Sequence, residues 1–331
     1  MRSSEDKLGQ LGVNLPLLPI TSVGSFPKPD YIKKARAKHQ KGEISTQQLF
    51  ELEKRATHEW IRFQEEAGVD VLVDGEMYRG DMVAYFAEKL PGFSDSGFVR
   101  SYGNRYYRKP VIKKAIQWEE PLTVEWWKLT QGMTKKPVKG MLTGPYTIMD
   151  WSFNEYYKDR EATAMALAEV IRKEVIALID AGAKIIQIDE PACSVRPQEL
   201  PLVIQSMGVV TRDLPAYFIT HICYGDFEKI YPEMNEIPVD NFDLEMSNSD
   251  NDLLKCFKKR SFPKDLSAGI VDVHTHEIES EELLVGRLQE ILEIIPKKQV
   301  WVDPDCGLKT RTVEESQQKM KSVIKAVQRL R

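Results

Sequence analysis

Cysteine and histidine are scarce in this chain of 331 residues, which has four of the first and five of the second. Four cysteines, at 193, 223, 256 and 306, are too few for a disulfide scaffold, so free thiols in a reducing cytoplasm are the expectation. Long apolar runs are missing as well. No stretch approaches the roughly 20 residues of a membrane span, and the opening "MRSSEDKLGQLGVNLPLLP" has no apolar core for a secretory signal. Neither charge dominates. Lys and Arg number 46 against 50 Asp and Glu, and the net charge of −4 excludes the basic stripe that nucleic acid demands. No glycine-rich phosphate loop follows the first β-rich run, which excludes the usual dinucleotide site. There is no internal repeat, no low-complexity tract and no Pro/Gly/Ser-rich linker, so a single domain over 1–331 is expected.

What is present is a 42% hydrophobic composition, enough for a large core, and a regular alternation. Eight β-rich runs recur along the chain: "LPITSVGSF", "VDVLVDGE", "PVKGMLTGPYT", "AKIIQIDEP", "AYFITHICYG", "NFDLEMSNS", "LSAGIVDVHTH" and "QVWVDPDCGL". Their nearly continuous apolar character suits parallel strands covered on both faces. Amphipathic segments lie between them. "STQQLFELEKRATHEWIRFQEEAG" opens on a capping Ser45 or Thr46 and stops near Gly68, and a second segment stops near Gly182 in the same way. Eight strand–helix units predict a (β/α)8 TIM barrel. Residues 77–137 interrupt the alternation after the second strand. They hold "GFVRSYGNRYYRKPVI", which reads as a hairpin turning near Gly103–Asn104, and a helical piece around Trp126–Trp127.

In such a barrel the reacting groups stand at the carboxyl ends of the strands. Polar residues gather there repeatedly: Gly24–Ser25, Asp74 and Glu76, Asp189–Glu190, His221 and Cys223, Glu245, His274 and His276, Asp305–Cys306. Positions i and i+2 of a strand share a face, so His221 and Cys223 can address one point. With Cys306 and Glu245 they offer an imidazole, two thiolates and a carboxylate, a set that suits Zn²⁺. A metal in so anionic a shell activates water poorly but can hold an incoming thiol as an electron-rich thiolate, which suggests alkyl transfer to sulfur. Cys193 and Cys256 lack such company, and Cys256 in "NDLLKCFKK" reads as a small buried hydrophobe. The "HTH" of 274–276 resembles a binuclear hydrolase signal, but no further histidine follows, so His274 reads as an acid/base or orienting group.

The stretches "SVGSFP", "DGEMYRGDMVAYF", "GPYTIMDWSF", "IIQIDEPA", "THICYGDF", "DLEMSNSD", "DVHTHEIES" and "DPDCGLKTR" together resemble the catalytic half of cobalamin-independent methionine synthase, in order, from about residue 18 to the end. The resemblance implies zinc on His221, Cys223, Glu245 and Cys306. It implies homocysteine held by Val23, Gly24, Ser25, Glu76 and Asp189, and it makes His274 the proton relay. It places Arg105, Tyr106 and Trp151 at the methyl donor. Carboxylates suit an amino acid's ammonium group, and backbone N–H and hydroxyl donors suit its carboxylate.

Two departures stand against a folate donor. The extra N-terminal half of the folate enzymes has no counterpart, and "DEPACSVRPQEL" carries Val195 where those enzymes have an acidic residue facing the pterin. The chain then looks like the short "core" methionine synthases, for which the resemblance implies methylcobalamin, free or on a corrinoid protein, as donor and partner. Methyltetrahydrofolate as donor is the alternative reading, and a zinc enzyme alkylating another thiol such as coenzyme M is a further one.

Overall fold

The computed structural model describes residues 4–100, 106–223, 227–247 and 253–331. The chain divides into two compact units, one of Met1–Tyr78, Trp126–Lys139 and Asp240–Arg331, the other of Arg79–Glu125 and Gly140–Val239. Among the described residues no helix is long and apolar enough to cross a membrane.

The second unit carries strands β1 (Phe93–Arg100), β2 (Tyr106–Ile112), β3 (Gly140–Thr143), β4 (Phe153–Asn154), β5 (Ile185–Asp189) and β6 (Tyr217–Ile222). β3, β5 and β6 pair in parallel, with Gly140 opposite Ile186 and Ile185 opposite Tyr217. The helices Arg160–Asp180 and Leu200–Thr211 provide the crossovers. All of β3 and β6 is buried, and Asp189 alone in β5 is half-exposed, as strands covered on both faces require. β1 and β2 form the expected antiparallel hairpin, with Arg100 opposite Tyr106. The expected turn at Gly103–Asn104 lies outside the described residues, as does Arg105. β4 adds a short parallel rung on β2. The insertion is fastened by Glu174, fully buried on the helix Arg160–Asp180. Its carboxylate accepts from Trp118 Nε1, from the backbone N–H groups of Leu122 and Thr123, and from Thr123 Oγ1.

The first unit carries β7 (Asn241–Glu245), β8 (Asp265–Val271) and β9 (Val300–Pro304), again parallel. The first two expected strands run where they should but register only as isolated parallel bridges, Ile20 with Val302, Ser25 with Gly75 and Leu72 with Val138. Side chains have taken their ladder positions. Gln64 bonds both backbone groups of Val73, and Asp70 accepts from Ile20 N. The helix Thr46–Ala67 starts in a capping box made by Ser45 and Gln48 and stops at left-handed Gly68, φ +99°. The helices Glu281–Leu292 and Val313–Leu330 are capped by Ser280 and Thr312. This alternation of parallel strand and covering helix is that of the (β/α)8 barrel expected from the sequence pattern.

Candidate active site

His221 is the fifth residue of β6, and Cys223 directly follows the strand; both are buried. Cys306 stands two residues beyond β9 and is half-buried. The ligand atoms of His221, Cys223 and Cys306 all lie within 4.8 Å of one another. Ligands on a tetrahedral zinc with bonds of 2.0–2.3 Å are at most roughly 3.8 Å apart. One imidazole nitrogen and two sulfurs form a donor set that fits zinc. Glu245 ends β7, buried, and is not in the trio; its Oε1 lies 3.6 Å from Nε2 of His274.

The turn that carries Cys306 is tightly held. Asp305 is fully buried and accepts hydrogen bonds from the N–H groups of Met246 and Ser247, both at 3.0 Å, and from Ser247 Oγ. Burial pushes its carboxyl up to about 7, against the pull of the Ser247 bonds, and Glu245 adds to the rise. The carboxylate passes over Gly269 of β8, where a Cβ would stand 2.6 Å from the Cα of Asp305. On the other side of Cys306, Leu308 N donates to Ser25 O at 2.8 Å, and a Cβ on Gly307 would come within 2.1 Å of Ser25 Oγ. Ser25, one of the residues expected to bind an amino acid, is thus in direct contact with the cysteine turn.

Ser25 also bridges to Gly75, and Phe26 N donates to Gly75 O. Glu76 follows with φ +58°, a left-handed conformation that costs a non-glycine residue about 1–3 kcal/mol. Asp74 supports it by accepting from Glu76 N at 2.9 Å, and is itself fixed by Tyr78 OH at 2.7 Å. Tyr78 stacks on Trp126 with the ring centroids 4.3 Å apart. Burial brings the Lys28 ammonium down to about 8; Arg36 pushes the same way, and Glu76 opposes them.

Asp189 ends β5, with its Oδ1 bonded by Gln187 Nε2. Beside it Glu190 is fully buried and accepts from the N–H groups of Tyr146 and Thr147 and from Thr147 Oγ1. Burial raises it to about 7 in spite of those bonds. Trp151 follows the helix Pro145–Asp150, half-buried. Asp150, one residue before it, binds Arg160 at 2.6 Å and Arg196 at 3.1 Å. Tyr106 opens β2. Cys193 is fully buried, and burial, helped by Glu190, drives its thiol far above the ordinary range. It is an inert core thiol; Cys256 is buried in the helix Leu253–Lys259.

Asp74, Glu190 and Asp305 were not singled out as supports from sequence alone. Each does stand beside a candidate residue at a strand end. The glycines that make room for two of them, 144 and 269, fall in or next to neighbouring strands and were the available signal.

The family model described as "Cobalamin-independent synthase, Catalytic domain" matches residues 18–329. Similar proteins include a "Methionine synthase" of Saccharolobus solfataricus, 37% identical over 96% of both chains. A "5-methyltetrahydropteroyltriglutamate--homocysteine methyltransferase" of Flavobacterium johnsoniae is 40% identical over 96% of this chain and 43% of that one. The chain therefore spans less than half of the second relative and nearly all of the first. Among solved structures, a B12-independent methionine synthase of Shewanella sp. W3-18-1 in complex with selenomethionine superposes with a TM-score of 0.83. It is 24% identical and covers 95% of this chain and 98% of that one, which shows the barrel fold.

These findings overturn the expected donor. Methylcobalamin and a corrinoid protein partner do not belong to a cobalamin-independent family. That expectation rested on the length compared with the folate enzymes and on Val195. Val195 is 65% exposed, so losing a carboxylate there opens no buried pocket for a corrin.

Proposed function

Because the chain belongs to the family of the cobalamin-independent synthase catalytic domain, we propose that it moves a methyl group from a 5-methyltetrahydropteroyl folate to the sulfur of L-homocysteine, forming L-methionine. The observation that carries this reading is the trio of His221, Cys223 and Cys306 with ligand atoms within 4.8 Å of one another. The donor follows the name borne by longer relatives.

In this reading His221, Cys223 and Cys306 would hold zinc, with Glu245 nearby as a further candidate ligand. Bound there, zinc would supply the positive charge that lets the homocysteine thiol, ordinarily of pKa about 8.5, stand as a thiolate at neutral pH. Glu76 and Asp189 take the ammonium group. Val23, Gly24 and Ser25 take the carboxylate through backbone N–H groups and a hydroxyl. The S–CH3 bond forms as the N5–CH3 bond of the folate breaks, and N5 must gain a proton to leave. His274 supplies it, from a ring one-third exposed and 3.6 Å from Glu245. Arg105, Tyr106 and Trp151 bind the pterin and its tail. The whole chain acts as one catalytic domain with its insertion at 77–137, in the cytoplasm, where the thiols of the site stay reduced.

The test is methionine formation by purified protein containing one zinc per chain, given homocysteine and 5-methyltetrahydropteroyltriglutamate. Methionine produced in step with donor consumed, and lost on zinc removal, supports the reading. No methionine from zinc-replete protein would overturn it.

A further inference from the structure

The helix Val313–Leu330 turns a buried stripe inward: Ser316, Met320, Val323, Ile324 and Val327. Lys319 belongs to the same stripe and is fully buried. An ammonium is costly to bury, and an apolar side chain of the same length is cheaper there. A residue that breaks the pattern of its own helix calls for a compensating role.

The lysine's surroundings supply one. Its ammonium has three N–H donors, and the structure gives it three acceptors: the backbone oxygen of Asp272 at 2.9 Å, the carboxylate Oε2 of Glu279 at 2.9 Å, and the backbone oxygen of Glu277. All three lie on the loop that follows β8. The other oxygen of Glu279 accepts from Asp272 N at 2.8 Å, which closes the loop on itself. Arg287 adds a positive charge 3.9 Å from Glu279 and donates to Ile270 O at 2.8 Å. One turn before Lys319, Glu315 pairs with Nδ1 of His276 at 2.8 Å. Hydrogen bonds from Thr312 N–H and from His276 hold Glu315 down at about 2. Within the loop, His274 N donates to Asp272 Oδ1 at 2.7 Å. His274 therefore sits between two backbone carbonyls, those of 272 and 277, that are drawn to one buried charge.

We infer that Lys319 is a positioning residue for His274: its ammonium fixes the 272–279 loop so that the imidazole Nε2 faces Glu245. The inference rests on the reading in which His274 delivers the reacting proton. Lys319 touches no substrate and acts only through the loop.

The experiment compares wild type, Lys319→Met, His274→Gln and the double variant. It reads zinc content, kcat, KM for homocysteine, and amide hydrogen exchange over 272–279. Lys319→Met is expected to lower kcat about 10–100-fold, the range seen when a partner that orients a functional side chain is removed. Zinc content and KM should change less than about twofold, and the loop amides should exchange at least about tenfold faster. The double variant should be no slower than His274→Gln alone, because both changes remove the same contribution. Losses that multiply in the double variant, or unchanged loop exchange, overturn the inference. Wild-type kcat in His274→Gln refutes the role given to that histidine. The exchange readout of Lys319→Met still decides whether the lysine holds the loop. If Lys319→Met does not fold, Glu279→Gln, which keeps an oxygen toward Lys319, carries the same comparison with smaller expected changes.

Discussion

Two strand ends use the same device and put it to different purposes. From the last residue of β5 the chain reads Asp189–Glu190–Pro191–Ala192–Cys193, and after β9 it reads Asp305–Cys306–Gly307. In each, a fully buried carboxyl group receives two consecutive backbone N–H groups and a hydroxyl from another element: Tyr146 and Thr147, on the helix Pro145–Asp150, for Glu190, and Met246 and Ser247, just after β7, for Asp305. In each, burial raises the group to about 7. In each, a glycine clears the way, Gly144 for Glu190 and Gly269 for Asp305. The cysteines differ. Cys193 lies three residues past its acid, inside a 3₁₀ turn, and is buried and inert. Cys306 lies one residue past its acid and joins His221 and Cys223. The device holds a strand end, and the register of the next side chain decides whether a cysteine joins the His221–Cys223 cluster or the core.

Replacing each cysteine breaks the comparison most sharply. Cys306→Ser should abolish zinc binding and methionine formation together, read by metal analysis and turnover. Cys193→Ala should keep full zinc and activity within about twofold, with a loss of only ~1 kcal/mol in unfolding free energy. Equal zinc loss in the two variants would remove the distinction.

Glu190 sharpens it through pH. Its folded pKa is raised from 4.5 to about 7, so its contribution to stability is fully present below about 4.5 and is lost as the pH climbs through 7. The loss amounts to about 3 kcal/mol over that window. Glu190→Gln has no such proton to release. Denaturant unfolding at pH 4.5 and 7.5 should show a drop in wild type that is smaller by about that amount in the variant. Parallel curves would contradict the assignment.

The neighbour of Glu190 separates substrate from metal. Asp189→Asn should weaken homocysteine binding by about 1.5–3 kcal/mol, the scale of a charged hydrogen bond, and leave zinc in place. Calorimetry and metal analysis on the same sample decide. Release of the metal would give Asp189 a different role.

The glycines give the smallest effect and a clean contrast. Gly144→Ala puts a methyl 2.1 Å from the carboxyl carbon of Glu190, and Gly269→Ala puts one 2.6 Å from the Cα of Asp305. Each should cost about 1–3 kcal/mol in thermal unfolding, as overpacking does. Only Gly269→Ala should also lower zinc affinity, because it displaces backbone next to Cys306.

The sequence made the barrel legible through its continuous apolar runs, since strands buried on both faces need that composition. It placed His221 and Cys223 on one face through period-two geometry, and Cys306 at a strand end. The first two strands were legible as runs but not as ladders, because the pairing of Val73 with Gln64 and of Ile20 with Asp70 depends on side chains that no periodicity reveals. β4 was missed because two residues carry no period. Lys319 read as one more cation on an amphipathic helix; its partners lie 40 to 47 residues away in sequence. The carboxylate caps bridge 43 to 59 residues, and such pairs become visible only in the fold. The donor was misread because a change at one exposed position was given the weight of a site.

The account stands on a metal that holds homocysteine sulfur, and X-ray absorption at the zinc edge tests this most directly. Zinc-loaded protein should show two sulfur neighbours at rest and three with saturating homocysteine, the added one at about 2.3 Å. A sulfur shell that stays at two while homocysteine is bound would contradict it.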